Sequence, residues 1–344
     1  MAQTVPSGDN TLLRDAIPVR KIGRVERFLG PENYRILQGL MKTPASITGF
    51  ALVLFFVLMA VLAPVIIPPV GKDPYSIPRD GFKSDPQPMG TEWKRNVPEA
   101  PFWFAITGQE KWTHIFGTSE GQYDIFYGII WGARTAFYAG LIVTISTLLI
   151  GIVYGSIAAY YGGWVDMVLM RVVDVLSILP GVLAALILAA ILTPLIGKST
   201  IPVMVALIAF GWMGYARFIR ADILSVRERD YILAARVVGV QDSRILFQHI
   251  LPNAIFPTLI LASMAIGDVV LSFAGLSFLG VGVEIGYADW GQLLSFARNW
   301  ITSLDKYWYI ITWPGFFLLL FVMGWNLIGD ALRDVLDPRM RGKT

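Results

Sequence analysis

Two carboxylates sit where the chain is otherwise almost free of charge. Asp174 and Asp268 fall in or beside long apolar runs. An ionised group inside lipid is costly enough that it usually serves a function, and a pair of such aspartates is the equipment of an intramembrane aspartyl protease. A local partner accounts for Asp174 as well, because Arg171 lies one helical turn before it. No second motif supports proteolysis. Other reactive side chains are sparse. Cysteine is absent, which removes disulfide, thiolate and zinc–thiolate chemistry. The two histidines, His114 and His249, are far apart and form no metal-ligand pattern. No GxxxxGK[ST] phosphate loop occurs, so ATP hydrolysis by that route is closed to this chain alone. An ion-coupled carrier would need midplane ionisable groups on broken helices. Here the apolar runs are nearly uncharged, and Pro180 and Pro194 offer a kink in the third span of a kind common in membrane helices. With no evident energy source of its own, the chain points to a partner that supplies one.

The elements that hold these residues follow from composition. Only 15% of the 344 residues are charged and 55% are hydrophobic, against roughly 25% charged in soluble domains. Mean hydropathy is +0.59. An all-α polytopic membrane protein with six transmembrane helices is expected. The net charge of +3 carries no nucleic-acid signal and is read through the placement of Lys and Arg. Residues 1–42 form a basic tail without a cleavable signal pattern, expected in the cytoplasm. The first span is 43–71. An extracytoplasmic segment, 72–127, is rich in Pro and aromatics and is expected to be a small ordered flap without regular sheet. A five-helix core occupies 128–339, with spans over Thr135–Val165, Val175–Gly197, Ser199–Ala216, Ala254–Phe278 and Tyr307–Gly329, and 340–344 is a short tail. The basic residues of the tails and of the segment 217–253 predict N-in, C-in topology.

The longest cytoplasm-like segment between two strongly apolar runs is Asp230–Asn253. Its sequence predicts a short helix, a turn at Gly239 in the left-handed conformation, and a second helix capped by Asp242. Pro252 is expected to end that helix and open the next span. Ile232, Leu233, Val237, Ile245, Leu246 and Phe247 are too apolar for a loop that merely meets water. They call for a membrane surface or a protein groove.

This stretch resembles the coupling segment of bacterial ABC importer permeases, EAA-x3-G-x9-I-x-L-P. Ala234 and Ala235 precede Gly239 at the right distance and Leu251-Pro252 closes the motif, while Leu233 replaces the Glu and His249 the Ile. The variant pattern YxxAARxxG…HxLPN, met by Tyr231, Ala234, Ala235, Arg236, Gly239, His249, Leu251, Pro252 and Asn253, is similar to the oligopeptide/dipeptide subfamily. HIFGT (114–118), GARTAF (132–137), the run Tyr160–Asp174, LSFLGVG (276–282), ADWG (288–291) and NLIGDALRDVLDPR (326–339) resemble its C-type subunit. Departures are Ser119 and Gln122 within GTSEGQYDI, Asp268 where Glu is common, and a longer outer segment.

The resemblance implies a type I permease fold and a non-enzymatic subunit of an ATP-driven importer in a bacterial or archaeal plasma (inner) membrane. Peptides would be the solute, with oligosaccharides or nickel as alternatives. It further implies a second homologous permease as heterodimer partner, two cytoplasmic ABC ATPases, an extracytoplasmic solute-binding protein and surrounding lipid. ATP and Mg would be bound by the ATPases and no cofactor by this chain. Tyr231, Ala234, Ala235, Arg236, Gly239, His249, Leu251, Pro252 and Asn253 would then couple to the ATPases, with Arg236 meeting an acidic partner group or capping local carbonyls. Met264, Asp268 and Ser272 recur at four-residue spacing on one helix face, either lining a path or packing on a neighbour.

Overall fold

The computed structural model describes residues 43–81 and 83–336, apart from the side chains of Arg236, Asp242, Val335 and Leu336. The expected tails, 1–42 and 340–344, lie outside the described residues, as does the proposed Asp242 side-chain cap.

Helix α1 (Pro44–Ile66) begins where Thr43 accepts from the Ser46 N–H and a proline occupies the first turn. It buries a stripe containing Gly49, Phe56, Ala60 and Ala63 and leaves Leu54, Val61 and other apolar residues facing outward, as a lipid-exposed helix does. The chain continues through α2 (Phe102–Thr107), α3 (Ile125–Tyr161), α4 (Gly163–Leu176), α5 (Gly181–Ile196), α6 (Thr200–Arg227), α7 (Asp230–Val237) and α8 (Asp242–Ile245). It ends in α9 (Leu251–Phe278), α10 (Trp290–Ser295), α11 (Leu304–Tyr307) and α12 (Tyr309–Leu336). Among the described residues the only β pairings are isolated bridges. Among the described residues five helical stretches are long and apolar enough to cross a membrane, and α4–α5 adds a sixth crossing if that bent pair counts as one span.

The closest helix pair is α3 with α6. Gly151 and Gly155 make it possible: a Cβ at Gly155 would stand 2.3 Å from the Ala216 carbonyl oxygen, and one at Gly151 2.4 Å from the Tyr215 Cβ. This is the small-xxx-small device by which membrane helices gain van der Waals contact where lipid offers no hydrophobic driving force.

Several boundaries differ from the sequence expectation, each for a local reason. The second span starts ten residues early, at Ile125, because Asp124 caps it by accepting from Tyr127 N–H at 2.6 Å. Arg134 does not stop it; its guanidinium lies 5.3 Å from the centre of the Trp131 ring. The expected third span is broken into α4 and α5, inclined by 79°. Pro180 sits at the break as the N-cap of α5, and the residue before a proline disfavours helical geometry. The fourth span runs on to Arg227, because its arginines pair across helices. Arg217 meets Asp174 at 3.3 Å and the Ser177 hydroxyl at 2.8 Å, and Arg220 makes a bidentate pair with Asp166. Asp174 is therefore bound to Arg217, not to Arg171. Pro252 does not end a helix. The chain stays helical from Ser243 to Phe278 through a π turn at Leu246–Ile250, in which Leu251 N–H reaches the Leu246 carbonyl. That wider turn accommodates the ring and missing donor of a proline.

At one end of the bundle, residues 67–124 fold against residues 279–308. Ile77 N–H donates to Gly286 O at 2.7 Å, Ala288 N–H to Tyr75 O at 2.6 Å and the Tyr309 hydroxyl to Gln87 O at 2.8 Å. Trp131, Trp290, Phe56 and Phe321 form the aromatic core beneath this cap.

Candidate functional site

At the other end of the bundle, α7, α8 and the π turn form a protrusion between α6 and α9. Its apolar residues divide into two sets. Ile232, Ile245, Leu246 and Ile250 are buried against Ile219, Ile223 and Val226 of α6 and fix the protrusion to the helices. Val237, Val238 and Phe247 face outward, 88%, 82% and 65% exposed, with Tyr231 and Leu233 exposed beside them. Burial of the first set roots the protrusion on α6, while Val237 and Val238 leave an apolar tip and Phe247 lies beside Ile152, Val153 and Ile157 of α3.

The turn between α7 and α8 has a defined geometry. Gly239 lies at φ +84°, Val240 N–H donates to Ala235 O at 3.1 Å and Val238 N–H to Ala234 O at 3.1 Å. This is a Schellman-type closure with glycine in the left-handed position. Val240 and Ala235 pack against the same buried cluster, supplying the hydrophobic contact that goes with it. A side chain at Gly239 would meet nothing within 4 Å, so the backbone conformation alone selects glycine there. Ala234 and His249 are exposed, and the Asn253 amide donates to the His249 carbonyl at 2.6 Å. Tyr231, Ala234, Ala235, Gly239 and His249 thus lie in the protrusion, and Leu251, Pro252 and Asn253 form the first turn of α9 that continues from it. The backbone of Arg236 lies in the protrusion too.

The three residues predicted on one face of the fifth span part company. Asp268 and Ser272 line a cavity of about 220 Å³ between α3, α5, α6 and α9. Met264 does not; its side chain lies over Gly329 of α12. Four-residue steps rotate by about 40° each around an α-helix, so two steps turn Met264 about 80° from Ser272. Asp174, held by Arg217, does not line this cavity either.

Two polar arrangements in the cap escaped the sequence. His114 is fully buried, its Nδ1 2.6 Å from Asp124 Oδ2 and its Nε2 3.4 Å from Asp80 Oδ2, with the Trp93 ring at 4.2 Å. Asp80 Oδ1 also accepts from Lys94 and Arg95 N–H at 2.6 and 2.7 Å, while Asp124 Oδ1 caps α3. One imidazole therefore ties the loop before α2 to the first turn of α3. The single signal in sequence is a His ten residues before a helix-capping Asp; the Asp80 partner lies 34 residues upstream. Asp289 is the second. It is buried at the start of α10, where Oδ2 accepts from Gln292 N–H at 3.0 Å, and burial pushes its carboxyl up to about 6 against the opposing pull of that bond.

Comparison with known proteins places the protrusion and the helices around it in a family. The family described as "binding-protein-dependent transport system inner membrane component" matches residues 151–342. The chain is similar to a dipeptide transport system permease protein of Alkalihalophilus pseudofirmus, 32% identical over 302 residues that cover 88% of both chains. It is similar also to a putative peptide transport system permease protein of Brucella suis, 34% identical over 88% of this chain and 90% of that one. A dipeptide transport system permease protein of Escherichia coli is 38% identical over 66% of this chain and 74% of its own.

Proposed function

The chain belongs to the family of binding-protein-dependent transport system inner-membrane components, and from that premise we propose how it works as a permease subunit of a peptide ABC importer. It is a multi-pass component of the plasma membrane whose relatives carry peptides. It forms half of a translocation path completed by a second, homologous permease. An extracytoplasmic binding protein delivers the peptide to the cap end, and two cytoplasmic ATPases, holding ATP and Mg, engage the protrusion. This chain then holds no nucleotide and performs no hydrolysis.

The observation that carries the coupling role is the division of apolar residues in the protrusion. A segment that ended in the membrane surface would not need a buried root shared with α6. The tip of Val237 and Val238 is a surface fit for a groove on a partner. The root transmits displacement into α6, and the Arg217–Asp174 and Arg220–Asp166 pairs tie α6 to α4. ATP-driven approach of the two ATPases would move this linked unit as a rigid body, the kind of change that alternates access between two faces.

The test uses the lack of native cysteine. Val237→Cys gives this subunit a single thiol at the tip. In the assembled transporter it is expected to cross-link to an ATPase subunit, with a yield that changes on ATP binding. Cross-linking to lipid-facing probes alone, with no ATPase adduct, would overturn the coupling role.

A further inference from the structure

Four carboxylates lie in α4, α6 and α9, and three have partners. Asp166 is paired with Arg220, Asp174 with Arg217, and Asp222 faces the Thr258 hydroxyl at 3.5 Å. The fourth, Asp268, has no cation within 4.0 Å among the described residues. It precedes the end of α9 at Phe278 by ten residues, about 15 Å of helix, within a stretch long and apolar enough to cross a membrane. A carboxylate in such a stretch is tolerated where it meets a cavity or an opposite charge.

The cavity around it has the composition of a cation site. Asp268, Tyr215, Thr147 and Ser272 supply oxygens, and Val182 and Phe210 are among the apolar walls. The Thr147 hydroxyl spends its proton on backbone carbonyls of its own helix, so toward any other group it can act only as an acceptor. No Lys, Arg or His lines the cavity, and the arginines on the neighbouring stretch of α6 are committed to α4. Asp268 is itself exposed, beside the apolar residues of the cavity wall. At about 220 Å³ the space is large enough for an ammonium group.

We infer that this cavity binds an ammonium group of the solute in transit, with Asp268 as the counter-charge. The inference rests on the peptide-importer reading and adds to it a charge-reading step inside the membrane. The ammonium comes from a peptide amino terminus or from a lysine side chain, and the same chemistry serves both.

A cysteine one turn along the cavity wall tests it in the assembled transporter with cysteine-free partner subunits. Ser272→Cys is reacted with a cationic trimethylammonium thiosulfonate and with an anionic sulfonate analogue. With Asp268 present the cationic reagent is expected to react faster by on the order of tenfold, beyond the ratio measured on free cysteine. In the double variant Ser272→Cys/Asp268→Asn that preference should vanish. Dialaninamide and Nα-acetyl-lysinamide are then tried as protectants, with N-acetyl-alaninamide as the uncharged control. Protection by the first alone assigns the amino terminus, and protection by the second as well assigns any primary ammonium. Equal rates for both reagents, as when a cation from the second permease neutralises Asp268, would overturn the inference, as would protection by neither amine. Peptide uptake by the unsubstituted transporter is measured in parallel, so a failure of the importer reading shows itself separately.

Discussion

At the scale of single residues, the molecule separates charges that hold structure from one that is left available. Arg217 and Arg220 are consumed by Asp174 and Asp166, and His114 is enclosed by Asp80 and Asp124. Neither set could be identified from sequence spacing, because the partners lie 43, 54, 34 and 10 residues apart and only folding brings them together. Asp289 yields a pH prediction. Burial raises its carboxyl from 3.8 to about 6, so the folded state holds a proton that the unfolded chain has released between those values. Its contribution is therefore greatest below pH 4 and is lost as pH rises from about 4 to about 6, by up to ~3 kcal/mol. Asp289→Asn keeps a competent helix cap and removes the titration. Thermal unfolding of the purified protein across that window should show a decline for the parent that is reduced by this component in the variant. Parallel curves would contradict the assignment.

At the scale of elements, the protrusion depends on a turn that only glycine makes without cost. Val at position 239 would have open space around its side chain, yet φ +84° is disfavoured for a β-branched residue by about 1–3 kcal/mol. Gly239→Val is accordingly expected to insert and assemble at near-normal yield while ATP-driven uptake falls at least ~10-fold, since the tip is redirected and the root is untouched. Undiminished uptake would remove this turn from the coupling path. The turn was legible in sequence because a left-handed glycine after a helical run is a local signal. The π turn before Pro252 was not, since a proline reads equally as a stop or as a residue absorbed by a wider turn. The break at Pro180 was legible as a position and not as a bend of 79°, because the angle is set by packing against neighbouring helices.

At the scale of the whole molecule, hydropathy located the membrane helices, and charge misplaced their ends. Arg134 and Arg217 were read as boundaries, yet one lies over Trp131 and the other reaches across to α4. Asp268 and Ser272 share one cavity wall while Met264 packs over Gly329 of α12, because rotation accumulates over eight residues. The assembled picture has a cap at one end, an anchored tip at the other and a cavity between them. Under the proposed function these would serve delivery, coupling to ATP and passage in turn. The most direct measurement is uptake of a labelled dipeptide into proteoliposomes that contain this chain, the second permease and both ATPases, with the binding protein supplied. Uptake that requires ATP hydrolysis, the binding protein and every membrane subunit is expected. Uptake by this chain alone, driven by an ion gradient without ATP, would contradict it.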